Sequence, residues 1–306
     1  MAWLILAFMS AALLGCYDSF KKEALRENAV IPVLFLNTFF SSLIFLPFIV
    51  LSGSSDMLDG SIFHVASGGW EMHKYILLKS LIVLSSWILG YFGMKHLPLT
   101  IVGPINATRP VMVLVGALLV FGERLNGWQW LGVLLAVASF FMLSRSGKKE
   151  GIDFRRDHWI WMIVGSAAMG AISGLYDKYL MAPVESGGVG LDRMMVQSWY
   201  NIYQCFIMLT MLLLLWWPRH HETTPFHWHW SIIFVSIFLS TADFMYFYSL
   251  SLPDAMISIV SMIRRGSVVV SFLFGAAFFH EKNLKAKVVD LALVLLGMIF
   301  LAIGSA

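Results

Sequence analysis

The chain has 306 residues, of which 59% are hydrophobic and only 13% are charged, and its mean hydropathy is +0.78. Soluble domains carry about 25% charged residues, so a soluble globular fold is excluded. The net charge of +3 is spread over short loops and not over one clustered basic face, so nucleic acid is not an expected partner. Both cysteines, Cys16 and Cys205, fall in apolar segments, which excludes a disulfide framework.

Apolar runs of about 20 residues, long enough to cross the hydrocarbon core of a bilayer, recur along the whole chain. They predict an all-α integral membrane protein whose ten transmembrane helices cover residues 2–20, 31–51, 75–94, 99–121, 127–144, 158–181, 194–217, 230–250, 254–279 and 285–304. Residues 13–16 look like a lipoprotein cleavage site, but residues 1–4 lack the Lys or Arg of a secretory signal. The first helix is therefore expected to remain in the protein.

A polar linker divides the sequence into two halves that match each other. Three pairs of segments correspond in order: residues 15–18 with 174–177, residues 85–98 with 240–253, and residues 121–124 with 279–282. The first pair shares a Gly-x-Tyr-Asp pattern, the second a polar and aromatic stretch before Leu-Pro, and the third a glutamate followed by a basic residue. We therefore predict a five-helix repeat over residues 1–144, a linker over 145–157 and a second repeat over 158–306.

Five is an odd number of crossings, so the second repeat must enter the bilayer from the side opposite to the first. Such inverted-topology repeats commonly hold a substrate near the bilayer midplane and expose it to each side in turn. Most loop Lys and Arg residues, including Lys22, Lys148 and Arg155, follow odd-numbered spans. By the positive-inside rule, we expect a multi-pass protein of the inner or plasma membrane with both termini outside.

The two halves resemble the drug/metabolite transporter superfamily in its ten-helix, EamA-like form. The resemblance covers nearly the whole chain and rests on the Leu-Pro that opens spans four and nine, the Gly-Glu-Arg or His-Glu-Lys that closes them, and the start of span five at residues 128–132. It implies a central cavity between the repeats, lined mainly by helices one, three, four, six, eight and nine. Members of this superfamily move amino acids, nucleotide sugars, sugar phosphates, small cations and other metabolites, so the resemblance implies transport without fixing the substrate.

Three arginines lie deep in the predicted spans, where an ionised side chain facing lipid costs about 2.5–3.5 kcal/mol. Arg109 falls near the middle of span four, and Arg264 and Arg265 fall in the equivalent part of span nine. A guanidinium group binds carboxylate or phosphate through two parallel hydrogen bonds, so these residues are candidates for holding an anion. The alternatives are structural pairs with intramembrane aspartates and an interfacial position. The other charged residues inside the spans are Lys79, Lys178, Asp18, Asp177 and Asp243.

The surroundings of Arg264 and Arg265 are similar to those of a Lys-Arg pair in helix nine of triose-phosphate translocators, which belong to the same superfamily and bind the substrate phosphate there. The resemblance implies a phosphorylated substrate as one candidate. The helix-four lysine of those translocators falls on Asn106, and Arg109 stands one turn away as a substitute. Asn106 itself is a candidate substrate ligand or a bridge between helices.

Acidic and aromatic residues complete the predicted site. Asp243 is a candidate proton carrier or a charge partner for an arginine. Tyr246, one turn later, and its counterpart Tyr91 are candidate substrate contacts. Tyr-Asp pairs recur late in spans one and six, where they predict a gate or hinge, or else ordinary interfacial residues; they include Tyr17, Asp18, Tyr176, Asp177 and the adjacent Lys178. Asp18 with Lys22 also has the spacing of an i,i+4 ion pair.

The leading interpretation is a secondary active transporter of a small organic anion, phosphorylated or not, that works by alternating access. The alternative is an exporter of amino acids or drug-like metabolites whose arginines are neutralised by the aspartates. Without a Walker A motif, transport must be driven by a gradient or by exchange, with a proton or a counter-substrate as the partner. No filter-like segment favours a channel, and no catalytic motif within a span favours an intramembrane enzyme.

No cofactor or metal is expected, although four histidines cluster at positions 220, 221, 227 and 229. They lie in a loop beside tryptophans that are typical of the membrane interface, and they lack the ligand pattern of a zinc site. The expected partners are therefore a small-molecule substrate and the lipid bilayer. Oligomeric state does not follow from the sequence.

Overall fold

A computed structural model of the chain describes residues 2–112, 126–148, 152, 154–181, 183–252, 260, 263–279 and 284–305. All secondary structure in these residues is helical. We number the described α-helices in chain order: α1 (Ala2–Ala24), α2 (Val30–Ser54), α3 (Trp70–His96), α4 (Leu99–Ala107), α5 (Gly127–Lys148), α6 (His158–Met181), α7 (Arg193–Met211), α8 (Ser231–Ser251), α9 (Ser267–Ala277) and α10 (Leu284–Ser305). A π-helical turn continues α7 over Leu212–Trp216, and 3₁₀ helices cover Asp56–Leu58, Val184–Ser186 and Trp217–Arg219.

The outside of the bundle is suited to lipid. Among the described residues, six helical stretches are long and apolar enough to cross a membrane: Trp3–Ala24, Val30–Ser54, Trp70–His96, His158–Met181, Arg193–Arg219 and Ser231–Ser249. Large apolar side chains point outward, with Phe8 59%, Leu214 70% and Phe278 69% exposed. An apolar surface of this extent is rare on soluble monomers, whereas lipid tails solvate it without penalty.

Several helices extend beyond the apolar runs that predicted them. α3 begins at Trp70, five residues before the predicted start, and ends where Leu97-Pro98 stops the helical hydrogen-bond pattern. α5 continues to Lys148, four residues beyond the predicted end of span five at residue 144. The reason is that apolarity marks the part of a helix in hydrocarbon, whereas backbone hydrogen bonding continues until a cap or a proline intervenes.

Span four is interrupted, although its sequence predicts one continuous helix over residues 99–121. α4 ends at Ala107, and the N–H of Thr108 turns back to the carbonyl of Ile105 at 3.1 Å. Pro110, two residues later, has no N–H to donate to the carbonyl of Asn106, so the regular pattern cannot pass this point. Helical structure resumes at residues 109–112, and residues 113–125 lie outside the described part. In span nine, Gly266 forms a comparable turn just before α9.

Each described helix of the first half packs mainly against one helix of the second half. α1 packs against α8, α2 against α7, α3 against α6, α4 against α9, and α5 against α10. The pairing is symmetric between the halves. If each helix is replaced by the helix at the same position in the other half, α1 becomes α6 and α8 becomes α3, so one observed pair becomes another. The core of the bundle therefore lies between the two halves of the sequence.

Glycines permit the closest of these contacts. A Cβ atom at Gly15 of α1 would lie 2.4 Å from Cβ of Val270 and 2.9 Å from the carbonyl oxygen of Ser267, both in α9. At Gly103 of α4 it would lie 2.6 Å from Cγ2 of Val268. Small residues at such crossings let membrane helices gain dispersion contacts, which replace the hydrophobic driving force that lipid removes.

We expect Gly15→Leu to destabilise the protein, because the carbonyl of Ser267 is backbone and cannot rotate away. Overpacking of this kind costs about 1–3 kcal/mol. The matched control is Gly53→Leu in α2, where an added Cβ meets nothing within 4 Å. Thermal unfolding of the detergent-solubilised variants should show a lower midpoint for Gly15→Leu only; equal midpoints would contradict the close α1–α9 contact.

Candidate functional site

A cavity of about 190 Å³ lies inside the bundle, between the two halves of the sequence. Its lining comes from α1, α3, α4, α6, α8 and α9, the helices that the superfamily resemblance implied, and from α7 through Tyr200. A water molecule needs about 10–15 Å³ of such volume, so the cavity holds roughly a dozen waters or one small solute.

Most of the residues predicted for the site line this cavity. They are Tyr17, Asp18, Tyr91, Asn106, Arg109, Asp177, Asp243, Tyr246, Arg264 and Arg265. Tyr176 lies elsewhere, and its hydroxyl donates a hydrogen bond of 3.3 Å to the carbonyl of Tyr75. The side chain of Lys178 lies outside the described part of the structure. The roles assigned to all twelve residues remain predictions.

Asp243 is engaged by two donors from other helices. The Nη2 atom of Arg264 donates to its Oδ1 in an ion pair, and the hydroxyl of Tyr200 donates to its Oδ2 at 3.0 Å. The guanidinium group of Arg264 also lies 4.3 Å from the centre of the Tyr246 ring, a cation–π contact. Of the alternatives predicted for Arg264, the structure contains the pair with an aspartate.

A second ion pair joins α3 to α6 across the cavity wall. The ammonium group of Lys79 donates to Oδ1 of Asp177, and it also lies 5.1 Å from the centre of the Tyr200 ring. Lys79 is only 3% exposed. Tyr200 thus contacts both ion pairs, one through its ring and the other through its hydroxyl.

A third ion pair lies within α1. The ammonium group of Lys21 contacts Oδ1 of Asp18 at 2.8 Å and lies 4.3 Å from the centre of the Tyr17 ring. The expected pairing of Asp18 with Lys22 is therefore wrong: Lys22 instead donates to backbone carbonyls at the end of α3. Tyr91 accepts a hydrogen bond of 3.0 Å from the side-chain amide of Asn37, which fixes its position beside this pair.

Arg109 and Arg265 face the cavity without a carboxylate partner among the described residues. Within the described part of the chain, Arg109 donates to the neutral side-chain oxygen of Asn106, at 3.2 Å, and its buried Nε has no hydrogen-bond partner there. Its guanidinium group packs closely against α6 at Gly170, where a Cβ would lie 2.7 Å from its Cζ. Arg265 interacts unfavourably with the charges of Arg109 and Arg264 and favourably, without an ion pair, with Tyr246 and Asp18.

The charges of the described cavity lining do not balance. Each of the three carboxylates has one cationic partner, which leaves the charges of two arginines over; the charged residues are Lys21, Lys79, Arg109, Arg264, Arg265, Asp18, Asp177 and Asp243. A buried charge without a partner is costly, so a solute that supplies negative charge is favoured. The arrangement can therefore hold an anion.

Two arginines near the helix breaks have the same spacing from the Leu-Pro that precedes them. Arg109 stands twelve residues after Leu97, and Arg264 stands twelve residues after Leu252. Each lies within two residues of a turn, at Thr108 or Gly266. Interrupted helices in membrane transporters commonly mark the substrate site, because backbone that leaves the helix must line a cavity or find partners in the protein.

Three of the residues that form or contact the ion pairs of the cavity were not predicted as site residues. Lys79 could have been included, since a lysine inside a span needs a partner or water. Lys21 was assigned to a loop because it follows the last apolar residue of span one. Tyr200 had no distinguishing signal, because aromatic residues are frequent throughout this sequence.

We expect Asp243→Ala to destabilise the protein by about 3–5 kcal/mol, because it leaves the Arg264 charge buried without a partner. The double variant Asp243→Leu with Arg264→Met should be less destabilised than this single variant, since it removes both charges. Tyr200→Phe, which removes only the second donor, should cost about 1 kcal/mol. If the double variant loses as much free energy of unfolding as the two single substitutions together, Arg264 and Asp243 do not stabilise each other.

Comparisons with known proteins agree with this architecture. Residues 1–145 match the EamA-like transporter family, and the predicted resemblance is thereby confirmed for this part of the chain. A solved structure, described only as the crystal structure of a protein, shares the fold with a TM-score of 0.64 at 11% identity, covering 97% of this chain and 95% of its own. No curated protein matches the sequence. The chain is thus a multi-pass membrane protein whose first 145 residues match the EamA-like transporter family.

Proposed function

We propose that this protein is a secondary active transporter that carries a small organic anion through the central cavity by alternating access. The observation that carries the proposal is the charge imbalance of the cavity. Each described carboxylate in the lining forms an ion pair with a lysine or with Arg264, whereas Arg109 and Arg265 form no ion pair with a carboxylate among the described residues. An anion that enters from water would neutralise both guanidinium groups.

Helix pairing supports ten spans arranged as two inverted repeats. Exchange of the two halves leaves the pairing pattern unchanged, as a pseudo-two-fold axis between repeats requires. A symmetry axis in the membrane plane would place Arg109 and Arg264 at the same depth from opposite sides, next to the cavity. With the loop charges cytoplasmic, both termini lie outside the inner or plasma membrane.

Within the site, we assign the anion to Arg265 and Arg109. Arg264 acts as support, because Asp243 and the Tyr246 ring hold it in place. Asn106 orients Arg109 through its side-chain oxygen, and the Tyr91 and Tyr246 side chains belong to the lining of the cavity. A guanidinium fork can donate two parallel hydrogen bonds to a carboxylate or to a phosphate. A phosphorylated metabolite is therefore one member of the proposed substrate class.

The alternative, export of an amino acid or a drug-like metabolite, is less well supported. The ammonium group of an amino acid needs a free carboxylate or several carbonyl acceptors. Asp18, Asp177 and Asp243 each already contact a lysine or an arginine. Binding of that ammonium group would have to break one of these pairs.

We expect Arg265→Gln and Arg109→Gln each to weaken anion binding about tenfold or more, because a hydrogen bond to a charged group contributes about 1.5–3 kcal/mol. The probes are a three-carbon phosphate monoester, a dicarboxylate and a neutral sugar, added to purified protein in calorimetric titrations. Arg193→Gln is the matched control, since Arg193 donates to the carbonyl of Ile62 and does not line the cavity. Binding of only the neutral sugar by the parent protein would contradict the proposal.

Transport should need no nucleotide hydrolysis, because the chain has no phosphate-binding loop of the Walker type. We expect proteoliposomes without ATP to take up the bound anion when they are loaded with the same anion or given a proton gradient. Uptake that starts only when ATP is added would be incompatible with a gradient-driven or exchange mechanism.

A further inference from the structure

Lys22 connects two helices at one end of the cavity. Its ammonium group donates hydrogen bonds to the carbonyl oxygens of Met94, at 2.7 Å, and Leu97, at 2.6 Å. These carbonyls belong to the last turn and the cap of α3, where helical donors are missing and the helix dipole is negative. A lysine ammonium group therefore suits this helix end in both hydrogen bonding and charge.

The contact joins helices that otherwise belong to different pairs. α1 packs mainly against α8, and α3 packs mainly against α6, with the cavity lined by Tyr17 on one side and Tyr91 on the other. Lys21 adds a second link, since its ammonium group lies 4.3 Å from the Tyr17 ring centre and 5.3 Å from that of Tyr91. Any movement that separates α1 from α3 must first break the hydrogen bonds of Lys22.

Other polar links gather at the same end. The side chain of Asn28 exchanges two hydrogen bonds with the backbone of His227, at 2.7 and 2.8 Å. The ammonium group of Lys95 donates to the hydroxyl of Thr224 at 2.8 Å. These hydrogen bonds connect the turn after α1 and the end of α3 to the segment before α8. Polar contacts thus hold these three segments together at this end of the bundle. It is the cytoplasmic end in the proposed orientation.

The second repeat has different side chains at the equivalent positions. Alignment of Tyr17-Asp18 with Tyr176-Asp177 places Lys21 and Lys22 opposite Leu180 and Met181. Neither of these side chains can donate a hydrogen bond to a helix-end carbonyl, and Leu180 is fully buried in an apolar cluster. The two ends of the cavity therefore differ in chemistry although the repeats correspond in sequence.

We propose that Lys22 is a latch that keeps the cytoplasmic end of the cavity closed and releases the α3 carbonyls when that end opens. The inference rests on the alternating access of the proposed function, and it identifies a residue that controls one of the two openings. Opening exchanges two charge-assisted hydrogen bonds for hydration of the ammonium group and of the helix end. Loss of the ammonium group therefore favours the state that is open to the cytoplasm.

The test measures access to the cavity and needs no substrate. The reporter is Ser173→Cys, a cavity-lining position, in a background of Cys16→Ser and Cys205→Ser. Inside-out vesicles receive an anionic, membrane-impermeant thiol reagent, and the rate of modification is followed. We expect Lys22→Met to raise this rate about tenfold or more, in line with the loss of hydrogen bonds from a charged donor. Lys22→Arg, which keeps a charged donor, should stay near the parent rate.

Lys74→Met is the matched control, because Lys74 is an exposed lysine of α3 that pairs with Glu71 away from the cavity. An unchanged rate in Lys22→Met, or an equal rise in Lys74→Met, would overturn the latch. Should Lys22→Met fail to fold, Lys22→Gln, which keeps a neutral donor, must show an intermediate rise, and no rise would overturn the proposal equally. Failure of the latch leaves anion binding untouched, and failure of anion binding leaves the thiol rates as measured.

Discussion

Ionised side chains inside a membrane-spanning bundle must be paired, hydrated or bound to a solute, and this requirement organises the interior of the protein. Lys21 with Asp18, Lys79 with Asp177, and Arg264 with Asp243 meet it through ion pairs. Aromatic rings lie over the cations of all three pairs, which adds favourable electrostatic contact where water is scarce. The charges of Arg109 and Arg265 are left over, and they give the cavity its positive character.

The helix breaks place these charges where they can act. Pro110, two residues beyond Thr108, ends α4 before Arg109. In span nine, the turn at Gly266 directly follows Arg264 and Arg265. Because each break lies in a helix that packs across the interface between the two halves, the arginines reach the space between them. Close contacts through Gly15, Gly103 and Gly170 hold the walls of that space. A shift of one half against the other would alter access to the arginines without rebuilding either half.

Much of this arrangement could be predicted from the sequence, because hydrophobic runs and internal repetition are properties of the chain itself. Hydrophobic runs were enough to predict the apolar helices, whereas the gathering of Arg109, Arg265 and Asp243 at one cavity was implied by the superfamily resemblance. The choice of ion-pair partner could not be predicted. Asp18 pairs with Lys21 and not with Lys22, and Asp243 pairs with Arg264 and not with Arg265. Neighbouring helical residues point about 100° apart, so only the packing of the helices decides which of the two reaches the carboxylate. Tyr200 was missed because nothing in its local sequence shows that its side chain contacts two ion pairs formed by other helices.

The central claim is that Arg109 and Arg265 hold a negatively charged solute while Arg264 stays on Asp243. An experimental density map of the protein, prepared with the organic anion that binds best in titrations, tests it most directly. The account predicts density for the anion within hydrogen-bonding distance of both Arg109 and Arg265, with the pair of Arg264 and Asp243 intact. Density for the anion at another place, or side chains of Arg109 and Arg265 closed onto aspartates of the chain, would contradict it.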